Sequence, residues 1–342
     1  MNINDHLPLP QYSPKEDRYE NIKFRQCGES GLKLPPLSIG LWHNFGDADN
    51  IHNGRQILRR AFDLGITHFD LANNYGPPYG SAEENFASIF KKDFSSHRRE
   101  LIISSKAGYD MWPGPYGRGG SKKYLINSCE DSLSRLGLDY LDIFYHHCPD
   151  PETPLEETAD ALSQIVTQGK ALYIGISNYY KPSMAQKMVH LLKERGVPLL
   201  INQLRYSMFD RRAEELLPIA EEEGFGVIAF SPLEQGILTG KYNAGIPKGS
   251  RADNQLSYLP KDMDKDKVAK AVALEEIAKE MGIPMTTLAL SWLLRNPSVT
   301  SVLAGVSSCE QVDHNIKAVE FTGFSDTDLE RINSILSSNT RT

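Results

Sequence analysis

The sequence lacks the features that mark secreted and membrane-spanning proteins. Its 342 residues include only four cysteines, and their spacing matches neither a disulfide framework nor a metal motif. No run of 18 apolar residues is present, so we expect no transmembrane helix and no membrane partner. Residues 1–18 are predicted to form a polar N-terminal extension, without the apolar centre of a signal peptide. These absences predict a cytoplasmic protein.

Excess positive charge is also absent. The chain has 37 Lys and Arg against 44 Asp and Glu, which gives a net charge of −7. An acidic chain is poorly suited to nucleic acid, so we expect a small-molecule partner and no nucleic acid. Hydrophobic residues make up 40% of the chain, which is enough for a large core. We predict a single domain over residues 19–342, because α/β barrels often exceed 200 residues as one unit.

Short apolar segments alternate with longer amphipathic ones. Strands are predicted at Leu37–Leu41, Thr67–Leu71, Leu101–Ser105, Tyr140–Tyr145, Leu172–Ile176, Leu199–Gln203, Val227–Phe230 and Val299–Leu303. Helices are predicted near 56–64 and 125–136, from a capping box at Thr153 and Glu156 to Gly169, and at Ser183–Glu194, Ala213–Glu223, Lys267–Met281, Thr286–Arg295, Glu310–Val319 and Asp326–Ser338. Eight such units indicate an α/β protein and are the number that closes a (β/α)8 TIM barrel.

Three further segments fit this barrel. Ile22–Arg25 and Leu32–Leu34 flank a glycine-containing turn, which predicts an N-terminal β-hairpin that closes the bottom of the barrel. Ala107–Gly120 and Pro232–Asp266 are long loops that would lie at the C-terminal face. Loops of this length are often functional, although a surface insertion is the alternative.

An open, doubly wound sheet is the competing fold. The segment Gly224–Ala229 matches the pattern G-x-G-x-x-A of dinucleotide-binding folds. That pattern must follow a strand and open a helix, whereas here it precedes a predicted strand. We therefore interpret the segment as a turn from helix to strand.

Polar residues at the predicted strand ends suggest chemistry, because active sites of (β/α)8 barrels lie there. Asp70, Tyr75, Lys106 and His147 stand at or just after three neighbouring strands. A buried lysine needs an anion, which Asp70 would supply. A cation beside a tyrosine hydroxyl is expected to lower its pKa, which would make Tyr75 a proton donor, while His147 would orient a carbonyl oxygen. The alternatives are that Asp70 and Lys106 form only an ion pair at the top of the barrel, that Tyr75 is an aromatic residue of a turn, and that His147 is a hydrogen-bonded core histidine.

A metal site at His146, His147 and Cys148 is the other alternative. Adjacent residues of a strand point to opposite faces, so these side chains are not expected to meet on one ion. We predict no metal.

Several motifs, in order along the chain, carry a resemblance to a known family. They are Phe69–Gly76, Ser105–Ala107, Leu141–His147, Gly175–Asn178, Phe230–Leu233, Gly240–Tyr242 and Ala304–Ser307. On the basis of these motifs, the chain resembles the aldo-keto reductase superfamily from about Tyr19 onward. Gly40–Gly46 and Lys106–Gly117 are most similar to a bacterial group of that superfamily that reduces L-glyceraldehyde 3-phosphate and is related to potassium-channel β subunits.

The resemblance implies the site residues and the cofactor. The family's catalytic tetrad corresponds to Asp70, Tyr75, Lys106 and His147. Its NADP contacts correspond to Trp42, Asp70, Ser177, Asn178, Gln203, Phe230, Ser231, Pro232, Leu233, Gln235, Lys241, Arg251, Gly305, Ser307, Gln311 and Asn315. In this family the nicotinamide stacks on the aromatic ring at Phe230.

We therefore expect NADPH-dependent reduction of a small aldehyde, such as glyceraldehyde 3-phosphate or methylglyoxal. Candidate contacts for a substrate phosphate are His43, Arg118, Lys122 and Arg205, and an ordinary solvated side chain at each position is the favoured alternative. The alternative is a regulatory subunit that binds NADP as a redox sensor for a membrane channel. His147 argues against it, because channel β subunits resembling this chain have asparagine there. A homo-oligomer is left open.

Overall fold

Eight parallel strands of the computed structural model, which describes residues 12–243, 245–248 and 264–338, close into a barrel. A hairpin, β1 (Arg25–Gln26) and β2 (Lys33–Leu34), precedes them. The barrel strands are β3 (Leu37–Gly40), β4 (His68–Asp70), β5 (Ile102–Ala107), β6 (Leu141–His146), β7 (Ala171–Ser177), β8 (Leu199–Arg205), β9 (Gly226–Phe230) and β10 (Val299–Ala304). Since β10 pairs with both β9 and β3, the sheet has no free edge. The predicted (β/α)8 fold is confirmed.

Helices connect and follow the strands. They are α1 (Ile51–Asp63), α2 (Ser81–Asp93), α3 (Lys122–Leu136), α4 (Leu155–Thr167), α5 (Pro182–Glu194), α6 (Leu217–Glu223), α7 (Lys265–Glu280), α8 (Met285–Leu294), α9 (Cys309–Ile316) and α10 (Asp326–Ser337). Two predicted helices are partly 3₁₀: Arg212–Leu216 precedes α6, and Lys317–Val319 follows α9. Among the described helices, none has the length and apolar character needed to cross a membrane.

The predicted capping box of α4 is wrong. The residue before α4 is Pro154, and no side chain caps the helix. The Thr153 hydroxyl instead donates to the Asp150 carboxylate at 2.7 Å. Asp150 also accepts from the backbone N–H groups of Gly120 and Glu152, so the side chain that would have capped the helix helps to fix a loop end.

The turn at Gly224 is confirmed as a helix-to-strand connection. Gly224 ends α6 in the left-handed conformation, with φ of 74°, and β9 starts two residues later. Its carbonyl oxygen accepts from the backbone N–H of Glu29, in the turn between β1 and β2. A side chain there would be strained and would approach Glu29 to 2.9 Å.

The interior of the barrel is divided into an apolar and a polar half. Strands β6 to β9 and Leu303 of β10 contribute one apolar cluster, which the hairpin residues Cys27 and Leu34 join from below. The hairpin therefore closes the bottom of the barrel, as predicted. On the other half, fully buried polar side chains come from β3, β4, β5 and β10, namely Ser38, His68, Asp70, Ser104, Lys106 and Ser301. The larger apolar core lies between the strands and the helices.

Candidate active site

Lys106 is the centre of the polar half. Its side chain is fully buried near the end of β5. Its Nζ atom lies 2.5 Å from Asp70 Oδ2, 2.6 Å from the Leu71 carbonyl oxygen and 3.1 Å from Tyr75 Oη. A lysine ammonium has three hydrogens and no acceptor site, so these three contacts use its full capacity. Burial lowers the pKa of Lys106, and the charge of Asp70 opposes that change.

Asp70 is held from several directions. Its Oδ1 atom accepts from the Ser104 hydroxyl at 2.7 Å and from the Gln203 amide at 3.2 Å. Its Oδ2 atom accepts from Lys106. These donors come from β5 and β8, and together they fix the orientation of the carboxylate that pairs with Lys106.

Tyr75 stands in the loop after β4, with its ring 4.7 Å from Lys106 Nζ. Because Lys106 can only donate, Tyr75 Oη is the acceptor in their hydrogen bond. The hydroxyl hydrogen of Tyr75 is consequently available to a further acceptor. A carbonyl oxygen is such an acceptor.

The expectation that the cation lowers the pKa of Tyr75 is wrong for the resting protein. Burial and, after it, the negative charge of Asp70 raise the pKa of Tyr75 well above its usual value. The hydrogen bond from Lys106 to Tyr75 Oη, at 3.1 Å, does not reverse the direction of this pKa shift. Tyr75 is protonated at neutral pH, which is the state required of a proton donor.

His147 follows β6 and packs against two aromatic rings. Its ring centroid lies 4.6 Å from that of Tyr109 and 6.0 Å from that of Tyr75. Burial, assisted by Lys106 and His146, lowers the pKa of His147 well below its usual value, so the ring is neutral. Its Nδ1 atom is buried without a hydrogen-bond partner. With its proton on Nε2, the His147 ring would leave only an acceptor, and no buried N–H group, without a partner at Nδ1.

His146 points elsewhere. Its Nδ1 atom lies 2.7 Å from Tyr179 Oη. Burial lowers its pKa to about 4. The side chain of His146, the last residue of β6, and that of His147, the next residue, thus have different neighbours, as the strand alternation predicts. In the described parts of the chain, no three His, Cys, Asp or Glu side chains are grouped closely enough to hold a metal ion.

Exposed aromatic side chains surround the mouth of the barrel. Trp42 follows β3, and its ring lies against that of His43, with the centroids 4.3 Å apart and the ring planes tilted by 34°. Tyr109, Trp112 and Tyr116 are exposed in the loop after β5. This loop is tied down by backbone hydrogen bonds such as that from Met111 to Gly117, at 2.8 Å.

The predicted cofactor residues after β7, β8 and β9 are neighbours. The Ser177 hydroxyl donates to the Gln203 carbonyl oxygen at 2.9 Å, and the Asn178 amide donates to the His147 carbonyl oxygen at 3.0 Å. Phe230 ends β9 with its ring partly exposed. The chain continues through Ser231, Pro232, Leu233, Glu234 and Gln235. Three of these residues, Ser231, Glu234 and Gln235, have positive φ angles of 53°, 44° and 55°. This left-handed backbone bends the segment sharply.

The other predicted cofactor residues lie after β10 and in the long loop after β9. Ser307 and Gln311 are exposed at the start of α9, where the Gln311 side chain bonds both the backbone N–H and the hydroxyl of Ser307. A Cβ atom added at Gly305 would meet nothing within 4 Å, and Asn315 is buried. Lys241 is exposed, with Nζ 4.8 Å from the Tyr242 ring centroid. Arg251 lies outside the described residues.

Two of the predicted phosphate contacts have acidic partners. Arg205 donates to Glu234 at 2.9 Å, and Glu234 also accepts from Ser207 and from Lys267 on α7. Arg118 lies 3.5 Å from Asp110, with both side chains well exposed. At Lys122, the backbone N–H donates to Glu157. Sequence reasoning missed Glu234, since its partners are 27 to 33 residues away along the chain.

These residues fit a nicotinamide dinucleotide. A partly exposed aromatic ring at Phe230 offers a flat surface for a planar ring. Asn178 and Gln203 bring amide groups to the adjoining strand ends. The N-terminus of α9 favours an anion such as a phosphate, with Ser307 and Gln311 exposed beside it.

Comparison with known proteins extends over nearly the whole barrel. Residues 36–337 match the model of the Aldo/keto reductase family. The chain is 52% identical over 322 residues to the L-glyceraldehyde 3-phosphate reductase of Escherichia coli strain K12, covering 92% of this chain and 93% of that protein. It is 34% identical over 306 residues to an Arabidopsis thaliana protein named probable voltage-gated potassium channel subunit beta, covering 87% and 92%. The family match begins just before β3 and ends within α10.

Proposed function

Because this chain belongs to the aldo/keto reductase family and is an oxidoreductase, we propose that it reduces a small aldehyde to the alcohol with NADPH. The observation that carries the proposal is the contact of Lys106 Nζ with both Asp70 and Tyr75 Oη. It leaves a protonated, buried tyrosine with its hydroxyl hydrogen available at the barrel mouth.

Tyr75 is the proton donor in this proposal. When bound, the reduced nicotinamide supplies the hydride that adds to the carbonyl carbon. Tyr75 Oη gives its proton to the carbonyl oxygen, and the alcohol leaves. As Tyr75 loses its proton, the hydrogen bond that it accepts from the Lys106 ammonium comes to join two opposite charges, which strengthens it in this buried site. Lys106 therefore stabilises the phenolate as it forms, although the resting pKa of Tyr75 is high.

His147 orients the carbonyl oxygen. Its neutral ring, with the proton on Nε2, donates a hydrogen bond without adding a charge that would compete with Lys106. Its contacts with Tyr75 and Tyr109 fix the ring beside the proton donor. Two donors on one oxygen define where the aldehyde binds.

The preference for NADPH rests on the residues near α9 and in the loop after β9. A 2′-phosphate carries nearly two negative charges and requires donors. Ser307 and Gln311 at the start of α9, and Lys241, are exposed and able to provide them. Arg251 is part of the proposal from the sequence alone. Fluorescence titration should give a lower Kd for NADPH than for NADH; the reverse order would remove this part of the proposal.

The substrate is proposed to be short and polar. The exposed rings of Trp42, Tyr109 and Trp112 around the mouth favour a small pocket. The 52% identical relative is named for L-glyceraldehyde 3-phosphate, which makes this compound and methylglyoxal the first to assay. We propose a cytoplasmic location, which the four free cysteines support.

NADPH oxidation with L-glyceraldehyde 3-phosphate and methylglyoxal tests the proposal. We expect Tyr75→Phe to lower kcat by about 10² to 10⁴, as loss of a general acid does, with little change in the Kd for NADPH. Tyr79→Phe, at an exposed tyrosine near Tyr75 in the chain, is the matched control and should keep wild-type turnover. Turnover by Tyr75→Phe above a tenth of the wild-type rate, with chemistry rate-limiting, would refute the assignment. Wild-type protein that binds NADPH and reduces no aldehyde would instead favour a binding subunit.

A further inference from the structure

A line of hydrogen-bonded side chains crosses the polar half of the barrel below the candidate site. Ser301 Oγ lies 2.7 Å from Ser38 Oγ, Ser38 Oγ lies 2.9 Å from His68 Nδ1, and His68 Nε2 lies 3.0 Å from Ser104 Oγ. Ser104 Oγ in turn lies 2.7 Å from Asp70 Oδ1. All five side chains are fully buried, and none of their polar atoms is without a partner.

The direction of each hydrogen bond follows from the number of hydrogens. Asp70, a carboxylate paired with Lys106, only accepts, so Ser104 uses its one hydrogen on Asp70. Ser104 Oγ must then accept from His68, which places the proton of His68 on Nε2.

The other half of the line follows in the same way. With its proton on Nε2, His68 accepts at Nδ1 from the Ser38 hydroxyl, and Ser38 accepts from Ser301. Every hydrogen therefore points towards Asp70. Aligned hydrogen bonds of this kind polarise one another and strengthen the last bond, to the carboxylate.

The charge state of His68 agrees with this direction. Burial lowers the pKa of His68 to about 4, with Asp70 raising it and Lys106 lowering it by smaller amounts. The ring is therefore neutral at physiological pH. A protonated ring would donate from both nitrogens and would reverse the contact with Ser38.

The line of hydrogen-bonded side chains does more than occupy space inside the barrel. On the opposite side of the interior, apolar side chains such as Ile143, Ile201 and Ile228 fill the space without any hydrogen bonds. Burying four polar side chains costs free energy unless each is hydrogen-bonded. Here each is bonded, and the line ends on the carboxylate that holds Lys106 against Tyr75.

We propose that His68 is a positioning residue, which with Ser38 and Ser104 fixes the orientation of Asp70 and thereby the place of Lys106 against Tyr75. The proposal rests on the proposed function, because the geometry it maintains is that of the proton donor. It assigns His68 no contact with substrate or cofactor.

The effect on turnover is tested first. Ser104→Ala, which removes the bond to Asp70, should lower kcat about tenfold. His68→Leu should lower it by a similar factor and His68→Gln by less, because a glutamine amide both donates and accepts. Ser38→Ala, two bonds farther away, should have the smallest effect. The Kd for NADPH should change less than twofold in all four.

If His68 and Ser104 had only a structural role, the variants would differ in stability and not in kcat. Loss of stability would then follow the volume removed, so His68→Leu would lower the melting temperature, and Ser104→Ala would leave kcat unchanged. Wild-type kcat in a folded Ser104→Ala protein would overturn the proposal even if His68→Leu failed to fold. His190→Leu and His190→Gln, at an exposed histidine, are the matched controls.

The tautomer of His68 is tested without turnover. NMR spectra of protein with ¹⁵N-labelled histidine identify the His68 signal as the one that is absent from His68→Gln. In the wild type, this signal should be that of a neutral ring with its proton on Nε2 from about pH 5 to about pH 8. A neutral Nδ1–H ring, or protonation within that range, would overturn the proposal. Absence of aldehyde reduction by the wild type would refute the proposed function, whereas this spectrum tests the line of bonds separately.

Discussion

Lys106 has no spare capacity for hydrogen bonding. Its three partners are a carboxylate, a backbone carbonyl and the Tyr75 hydroxyl, and each occupies one hydrogen of the ammonium group. The strand-end pattern of the sequence was sufficient to predict that Asp70, Tyr75 and Lys106 would meet. It was not sufficient for the pKa of Tyr75, because the sign of that shift depends on how close Asp70 stands to Lys106 and how deeply the ring is buried.

Removing the lysine should destabilise the protein as well as inactivate it. Lys106→Met leaves Asp70 as a buried charge without its cation, and breaking a buried pair in this way costs about 3–5 kcal/mol. Urea unfolding measures the loss. The double variant Lys106→Met with Asp70→Asn should recover part of the stability while remaining inactive. Equal stability of the single variant and the wild type would contradict the paired, charged state.

At the scale of elements, the strands could be predicted closely and the helix starts less well. Most barrel strands are short apolar segments that the hydrophobic pattern identifies, and β4, which contains His68 and Asp70, is flanked by the apolar residues Ile66 and Leu71. The helix α2 was missed although Phe86, Ile89 and Phe90 are spaced as a buried helical face. Its first residue follows Gly80, which has φ of 92° and provides no side-chain cap, so the usual start signal is absent. At α4 such a signal is present, but Thr153 bonds to Asp150 instead.

Glu234 connects three elements that are distant from one another along the chain. It lies in the bent segment after β9 and accepts from Arg205 at the end of β8 and from Lys267 on α7. We expect Glu234→Ala to lower the free energy of unfolding by about 1–3 kcal/mol, because its bonds to Arg205 and Lys267 are lost. The loss is no larger because both cations are partly exposed and regain contact with water. The Kd for NADPH should rise, because the segment loses its anchor, while kcat at saturation stays near the wild-type value.

Urea unfolding and NADPH titration check this expectation together. Glu234→Gln, which keeps the volume and one acceptor, should show smaller changes in both measurements. The exposed Glu330→Gln is the control for removing a negative charge. A lower kcat with an unchanged Kd would show that Glu234 acts on the chemical step and not on the cofactor segment.

At the scale of the whole molecule, three buried histidines make stability depend on pH. Burial lowers the pKa of His68 and His146 to about 4 and that of His147 well below its usual value. All three are neutral in the folded protein, whereas in the unfolded chain they take up protons below about pH 6.5. Their contribution to stability is therefore complete above about pH 6.5 and is lost as the pH falls towards about 4, by up to about 1.4 kcal/mol per pH unit for each histidine.

Urea unfolding at several pH values between about 7.5 and 5 measures this loss. Replacing His68 by Gln should reduce the slope, because one proton-binding group disappears from the unfolded chain. A free energy of unfolding that does not change over this range would mean that the buried rings carry protons in the folded state.

The two halves of the barrel interior give the protein an uneven tolerance to mutation. In the wall built from β6 to β9, one apolar side chain can replace another with a change in volume as the main cost. In the wall built from β3, β4, β5 and β10, each of the buried polar side chains Ser38, His68, Asp70, Ser104, Lys106 and Ser301 has a specific partner, so replacing one leaves a polar group of its neighbour without a hydrogen bond. A scan of all single substitutions should find variation permitted in the first wall and almost none in the second. New substrate specificities, in nature or in the laboratory, would then arise from substitutions in the loops and the apolar wall, while the side chains of the polar wall stay the same.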